Sequence, residues 1–388
     1  MFTPMVDVAS CMKVGNSAVV VNAKLAAMKS VHLVITDLFL PKDLAAEVCA
    51  GLCLPALEKM LARGASTGSG RAGRVGASLE GLLCEMFGVS HQSVAPIAPI
   101  SALFDGLSEG CWLRADPVHL RLQRDQLVLL PDLEISANEA GHLCAALDRH
   151  FAGQRMEFFA PHPLRWYVKL DRLPDIETVP LSQAAGRNVH DLLPKGAEAL
   201  HWHRLFNEIQ MLLFSHPVNE AREACGELPV NSLWFWGEGC SSAVALQRAY
   251  DRVSSDEALA EMVAAAANIP FSGWHEKWHE DGVSDKQLLV WTGLRSALRC
   301  GDLDAWRTSL QDFETGYAQP LWQALRAGKN IAIAGGYSGR GSWLALAAEP
   351  CGCMGILAAF QAVGRLFNGV ECRYPIPRNE HVFLGFRD

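Results

Sequence analysis

Asp37, Ser78 and a few arginine and histidine clusters are the residues best suited to chemistry. Asp37 closes the run Val-His-Leu-Val-Ile-Thr-Asp at 31–37. That β-branched run reads as a buried strand, and ligands gather at the carboxyl ends of strands in open α/β sheets. A carboxylate there can hold a divalent cation through its oxygens; the plainer reading is a turn or cap acid. The loop 68–76, Gly-Ser-Gly-Arg-Ala-Gly-Arg-Val-Gly, carries Arg71 and Arg74. Its glycines allow close backbone approach to a phosphate, and its arginines can pair with phosphate oxygens. No Gly-Lys-Ser/Thr ends it, so it is not a P-loop, and a solvated loop is the simpler account. Ser78 opens a helical stretch running to Phe87, where a serine serves as an N-cap.

Asp116-Pro-Val-His119-Leu-Arg121 sets an acid, an imidazole and a cation on extended chain. Alternate strand residues share a face, so His119 and Arg121 point the same way. Anion binding is the functional reading, and a solvated sheet face the bland one. His275-Glu-Lys-Trp-His279 matches the spacing of a zincin helix, which places both imidazoles on one face if the stretch is helical. Ser272-Gly273 before it and Asp281-Gly282 after it interrupt such a helix, and no third ligand follows closely.

These residues need a scaffold, and the periodicities supply one. Helical spacing runs over 44–63, ended by Gly64. The segment 90–101 is rich in proline and small residues and reads as extended or looped. Strands are expected at 111–114, 118–121, 126–130 and 166–170, with a turn at Ala115-Asp116-Pro117. Ser136 and Glu139 form a capping-box signal for a helix reaching His150. Helices are expected at 200–215, 256–267 and 302–327. The apolar run around Trp234-Phe-Trp236 reads as core strand, and 331–334 as a short strand opening into a glycine turn. Strands alternating with helices give an α/β architecture with a largely buried sheet.

The chain has 388 residues, half of them hydrophobic, with a net charge of −8. That is enough apolar material for a large core. The acidic balance argues against nucleic acid and against anionic membrane surfaces as partners. No apolar run is long enough to span a bilayer. The 12 cysteines are scattered through a core-rich chain without Cys-x-x-Cys pairs, so buried, reduced thiols are expected rather than a disulfide framework or a structural zinc site. Residues 1–30 read as an N-terminal extension without an export signal, which makes a cytoplasmic protein the expectation.

Several segments together resemble a known family. Cys-Trp-Leu-Arg-Ala-Asp-Pro-Val-His-Leu-Arg at 111–121, Arg-Asp-Gln-Leu-Val-Leu at 124–129 and Leu-Pro-Val-Asn-Ser-Leu-Trp-Phe-Trp-Gly-Glu-Gly at 228–239 resemble the bacterial RpfE-type regulatory proteins. That family is similar to the archaeal-type cofactor-independent phosphoglycerate mutases of the alkaline phosphatase superfamily. The resemblance covers roughly residues 31–325, and the piece containing Asn231 is its most specific part.

It implies an alkaline-phosphatase-like central sheet flanked by helices, with a smaller inserted region near 90–225, all within a domain at 31–328. Residues 329–388 stay unplaced by it. The mutase pattern puts a metal-binding acid at Asp37 and a serine nucleophile near Ser78. Mutases of this type hold two divalent metals through a late Asp-His pair and further histidines, and this chain contains no Asp-His dipeptide. Leu79 also replaces the aspartate that follows the nucleophile. The expectation is therefore a regulatory protein on a degenerate scaffold, needing no cofactor and binding a small anionic or phosphorylated ligand or a protein partner. Arg71, Arg74, Asp116, His119, Arg121 and Asn231 are the expected ligand contacts. The alternative is a metal-dependent phosphatase or phosphomutase using Ser78, with manganese or zinc held by Asp37, His275 and His279.

Overall fold

A computed structural model describes residues 30–40, 42–63, 65–66, 78–89, 94–279, 285–337 and 342–348. Its strands are β1 (Ser30–Ile35), β2 (Ala65–Ser66), β3 (Cys111–Gln123), β4 (Gln126–Leu130), β5 (Met156–His162), β6 (Arg165–Leu170), β7 (Ser232–Cys240), β8 (Arg252–Ser255), β9 (Phe271–Gly273), β10 (Lys286–Trp291), β11 (Asn330–Tyr337) and β12 (Ser342–Ala348). They form two sheets. The main sheet has the order β2-β12-β11-β1-β10-β8-β9 and is parallel from β11 across to β9. The second sheet is antiparallel and built around β3, which pairs with β4, β6 and β7.

The main sheet is buried on both faces, as helices on either side of parallel strands require. Val34, Leu288 and Val290 join one core cluster, while Leu33, Ile35, Leu289 and Trp291 join another. The first cluster packs against the helices Leu79–Met86 and Ala258–Ala266 and reaches Trp234 and Trp236 of β7. The second packs against the helix Pro55–Arg63 and the helical run from Leu303 to Arg326. A third core lies on the far side of the second sheet, under the helices Ala137–His150 and Ala199–Phe214. The molecule is thus layered: helices, parallel sheet, helices, antiparallel sheet, helices. The expected α/β fold with a helix-flanked central sheet is the one observed.

Local expectations met the structure unevenly. Ser136 and Glu139 form the full capping box that opens the helix Ala137–His150. The helical run at 44–63 is broken in two, Lys42–Val48 and Pro55–Arg63, by a turn at Gly51, whose φ of +71° suits glycine. The second helix is capped from afar: the buried Glu314 carboxylate accepts from the amides of Ala56 at 2.7 Å and Leu57 at 3.0 Å. The proline-rich stretch expected to be looped contains the helix Ile97–Phe104. Pro99 lies in its first turn, where a missing N–H costs no helical bond.

The expected turn at Ala115-Asp116-Pro117 is also absent, because β3 runs straight through it. At Pro117 the strand has only β7 beside it, so the position tolerates the lost donor. Residues 330–337 lie in the main sheet as β11, in parallel register with β1. Residues 1–29 and 349–388 lie outside the described residues. Among those described, no helix is long and apolar enough to cross a membrane.

The cysteine expectation needs correction. Cys84 and Cys144 are buried thiols, pushed up to about 12 by burial. Cys111 and Cys240, however, are joined in a disulfide. They stand opposite each other in the β3–β7 register, a juxtaposition that a sequence separation of 129 hides. The link staples the ends of the strands that lead into the cleft described below. Reducing it is expected to lower the unfolding free energy by about 2–4 kcal/mol. Urea titrations with and without dithiothreitol measure this, and Cys240→Ser should show no response to reductant. Coincident wild-type curves under both conditions would mean the link contributes nothing.

Candidate functional site

Between the two sheets lies a cleft of about 310 Å³ lined by Glu80, Arg114, Asp116, Asp132, His162, Arg165, Trp236, Glu257, Arg295 and Arg299, with apolar residues between them. Both sheets contribute. Arg114 and Asp116 come from β3, and Trp236 from β7. Alternation along β3 explains the placement: Leu113 and Ala115 point to the outer core, so Arg114 and Asp116 point to the other side. From the main sheet, Glu257 begins the helix after β8, and Arg295 and Arg299 lie on the short helix after β10, at the strands' carboxyl edge. Glu80 belongs to the first turn of the helix capped by Ser78.

Each arginine is gripped by a carboxylate. Arg114 donates to Asp116 through Nε at 3.0 Å and Nη2 at 2.7 Å. Its guanidinium lies 5.0 Å from the Trp236 ring centroid and 5.3 Å from that of Tyr167, within cation–π range. Asp116 also accepts from Trp236 Nε1 at 2.8 Å and from the Trp166 amide at 3.3 Å. Burial raises the Asp116 carboxyl above its ordinary value, and these donors oppose that.

Arg165 donates to both oxygens of Asp105, at 2.9 and 2.7 Å, and the Tyr167 hydroxyl adds a bond at 2.6 Å. Burial works to raise Asp105, but Arg165 and Tyr167 outweigh it and hold the carboxyl low. Arg295 Nη1 donates to Glu257 at 2.6 Å, and its Nε lies 3.8 Å from Asp37 Oδ2. Arg299 reaches the exposed Asp132 at 3.4 Å. In Arg114 and Arg165 the carboxylate takes Nε and Nη2, so Nη1 is not spent on it. The planar fork is thus fixed while one donor edge stays available to a ligand.

His162 is the cleft's imidazole. Burial, with Arg165 beside it, pushes it below its ordinary 6.5, so it is mainly neutral at pH 7. Its Nδ1 accepts from the Leu164 amide at 3.1 Å, which puts the proton of the neutral ring on Nε2.

The residues singled out from sequence are not gathered in one place. Asp116 lines the cleft. Asp37 sits at the end of β1, 1% exposed, with φ at +56°, and Trp306 Nε1 donates to its carbonyl at 3.0 Å. Ser78 is the N-cap of the helix Leu79–Met86, its Oγ accepting from the Gly81 amide at 3.1 Å. His119 and Asn231 do structural work: His119 Nδ1 meets the Pro229 carbonyl at 2.9 Å, and the Asn231 amide pairs with the Leu120 backbone at 2.7 and 2.9 Å. Arg121 is exposed near the β3–β4 hairpin. Arg71 and Arg74 lie outside the described residues.

The zincin-like reading of His275 and His279 needs correction, because the stretch is not helical. Both residues are exposed, neither lines the cleft, and Trp278 between them is buried. The His275 backbone is pinned to the Tyr317 hydroxyl, with its carbonyl accepting at 2.7 Å.

The residues that sequence reasoning missed are Arg114, Arg165, Arg295, Arg299, Glu80, Glu257 and His162. For Arg114 a signal existed: an Arg-x-Asp pair inside an otherwise apolar strand must point to one face and pair there.

The family resemblance brings a divalent metal with it, and the residues at the strand ends do not fit one. Of the acids there, Asp37 and Glu257 are engaged by the Arg295 guanidinium, and Asp256 accepts from the Thr292 amide at 2.8 and 3.0 Å. Among the described residues, no group of three or more His, Cys, Asp or Glu side chains converges as a metal cage.

Similarity to characterised proteins agrees with this architecture. No family model matches the chain. Over 107 residues it is 31% identical to a 2,3-bisphosphoglycerate-independent phosphoglycerate mutase of Methanosarcina barkeri, a stretch covering 27% of each chain. Over 148 residues it is 27% identical to the enzyme of the same name from Methanosarcina acetivorans, covering 36% of each. The chain is distantly similar to cofactor-independent phosphoglycerate mutases. The matched stretches span about a third or less of those relatives. Among solved structures, the PH0037 protein of Pyrococcus horikoshii superposes with a TM-score of 0.50 at 13% identity, covering 83% of this chain and 88% of that one. A cofactor-independent phosphoglycerate mutase of Thermoplasma acidophilum gives 0.41 at 14% identity, covering 82% and 89%.

The Arg114–Asp116 pair is the part of the cleft most sensitive to change. Asp116→Ala leaves a buried guanidinium without its counter-charge and is expected to cost about 3–5 kcal/mol of stability. Replacing both residues by leucine should recover most of that loss. Chemical denaturation of the single and double variants tests this, and equal loss in both would show that the pair's charges are not what matters there.

Proposed function

We propose that this chain is a regulatory protein of the RpfE type that binds a small phosphorylated metabolite in the cleft between its sheets. The observation that carries the proposal is the convergence of Arg114, Arg165, Arg295 and Arg299 on one cavity, with the forks of Arg114 and Arg165 oriented by carboxylates. Orientation suits recognition of phosphate or carboxylate oxygens, which accept paired donors in a plane. The acids beside the arginines keep the cleft from attracting anions at random, so affinity depends on geometry rather than on net field. The cleft is large enough for a metabolite of a few carbon atoms with its phosphate. Similarity to phosphoglycerate mutases makes 3-phosphoglycerate the natural probe.

The experiment is isothermal titration with 3-phosphoglycerate and with inorganic phosphate. Arg165→Ala and Arg299→Ala should each weaken binding about 10-fold or more, since a hydrogen bond to a charged group contributes about 1.5–3 kcal/mol. The alanine at 299 leaves only an exposed acid behind, so folding is not at issue there. Absence of saturable binding by either probe, or binding indifferent to both substitutions, would remove this reading.

A second reading, a metal-dependent phosphomutase or phosphatase with Ser78 as nucleophile, is favoured by one observation. Ser78 begins a helix whose next residues, Leu79 and Glu80, line the cleft. Phosphoglycerate mutase activity in the presence of manganese or zinc, abolished by Ser78→Ala, decides for it.

A further inference from the structure

Two carboxylates from separate strand ends, Asp37 and Glu257, meet one guanidinium at the carboxyl edge of the main sheet, and the charge of Glu80 also bears on it. Asp37 follows β1, Glu257 follows β8, and Glu80 lies in the first turn of the helix capped by Ser78. Asp37 and Glu80 are buried. Oxygen ligands gathered from separate elements are what a hard divalent cation takes. Arg295 stands among them. Its Nη1 donates to Glu257 Oε2 at 2.6 Å, and its Nε lies 3.8 Å from Asp37 Oδ2. Burial opposes its charge, but Glu257, Asp37 and Glu80 together outweigh burial and strengthen its hold on the proton.

We infer that Arg295 is a built-in cation, its guanidinium supplying at the sheet edge the positive charge that Asp37 and Glu257 would otherwise offer to a divalent metal ion. A guanidinium differs from a metal ion in useful ways. It carries one permanent charge, cannot be lost by dialysis, and presents planar donors to oxygen atoms. It cannot lower the pKa of a serine hydroxyl as a bound metal does. The arrangement therefore suits holding an anion and does not prepare Ser78 for attack. Arg299, four residues on along the same helix, lines the same cleft and extends the positive edge. The inference concerns the cation at the sheet edge and is independent of which ligand the cleft binds.

The test is titration of purified full-length protein with Mn²⁺, followed by electron paramagnetic resonance of the free ion. Wild type should show no stoichiometric site. Arg295→Ala uncovers the carboxylates and should bind one Mn²⁺ at least about 10-fold more tightly than wild type. Adding Glu257→Gln to that variant should abolish the gain. Arg295→Lys keeps the charge and should remain without a site, which guards against misfolding of the alanine variant. Folding of Arg295→Ala only when Mn²⁺ is present would also support the inference. Stoichiometric Mn²⁺ binding by wild type that disappears in Asp37→Asn would overturn it. So would a folded Arg295→Ala that gains nothing, or a gain of Mn²⁺ binding by Arg295→Lys.

Discussion

The Asp116 carboxylate is the interaction on which both the second sheet and the cleft depend. It accepts from Arg114 on its own strand, from Trp236 on β7 and from the Trp166 backbone on β6. One buried anion thus joins three neighbouring strands, and the same bonds orient the guanidinium that faces the cleft. Burying a charge is expensive unless its donors are supplied, and here they come from an arginine, an indole and a backbone amide. The tryptophans and Tyr167 around the pair also keep water away, which strengthens each bond. The pairing of the strands and the lining of the cleft rest on the same few atoms.

Arg295 and Glu257 bear the comparable relation on the main-sheet side. Parallel strands deliver their carboxyl ends to one edge, and the loops that follow are where side chains can be changed without disturbing the sheet. In this chain the edge carries arginines as well as acids. A scaffold distantly like that of phosphoglycerate mutases thus presents guanidinium groups at this edge, in keeping with the rule that a fold does not dictate its chemistry.

Much of the fold was legible in sequence because its signals are local. The strand ending before Asp37, the capping box at Ser136 and the amphipathic helix at Ala199–Phe214 each depend on neighbours a few residues away. What could not be read was set by distant partners. The break within 42–63 places a helix start where Glu314 can cap it. Pro117 resembles a turn signal unless it is known that β6 pairs no further than Arg114. The site was less legible for the same reason. Asp116 was found because an acid beside a proline stands out, whereas Arg295 and Glu257 become a pair only when β8 and β10 lie side by side. His275 and His279 misled because a short spacing pattern carries no information about whether the backbone is helical there.

The position of β1 has a consequence for synthesis. This strand lies in the interior of the main sheet, yet its parallel neighbours β10 and β11 are made some 250 and 300 residues later. The amides at the head of the helix Pro55–Arg63 wait 258 positions for Glu314. At about 5–20 residues per second on the ribosome, that interval is roughly 13–50 s. For that time the nascent strand has an apolar surface and two open edges, the condition under which strands pair with the wrong neighbour.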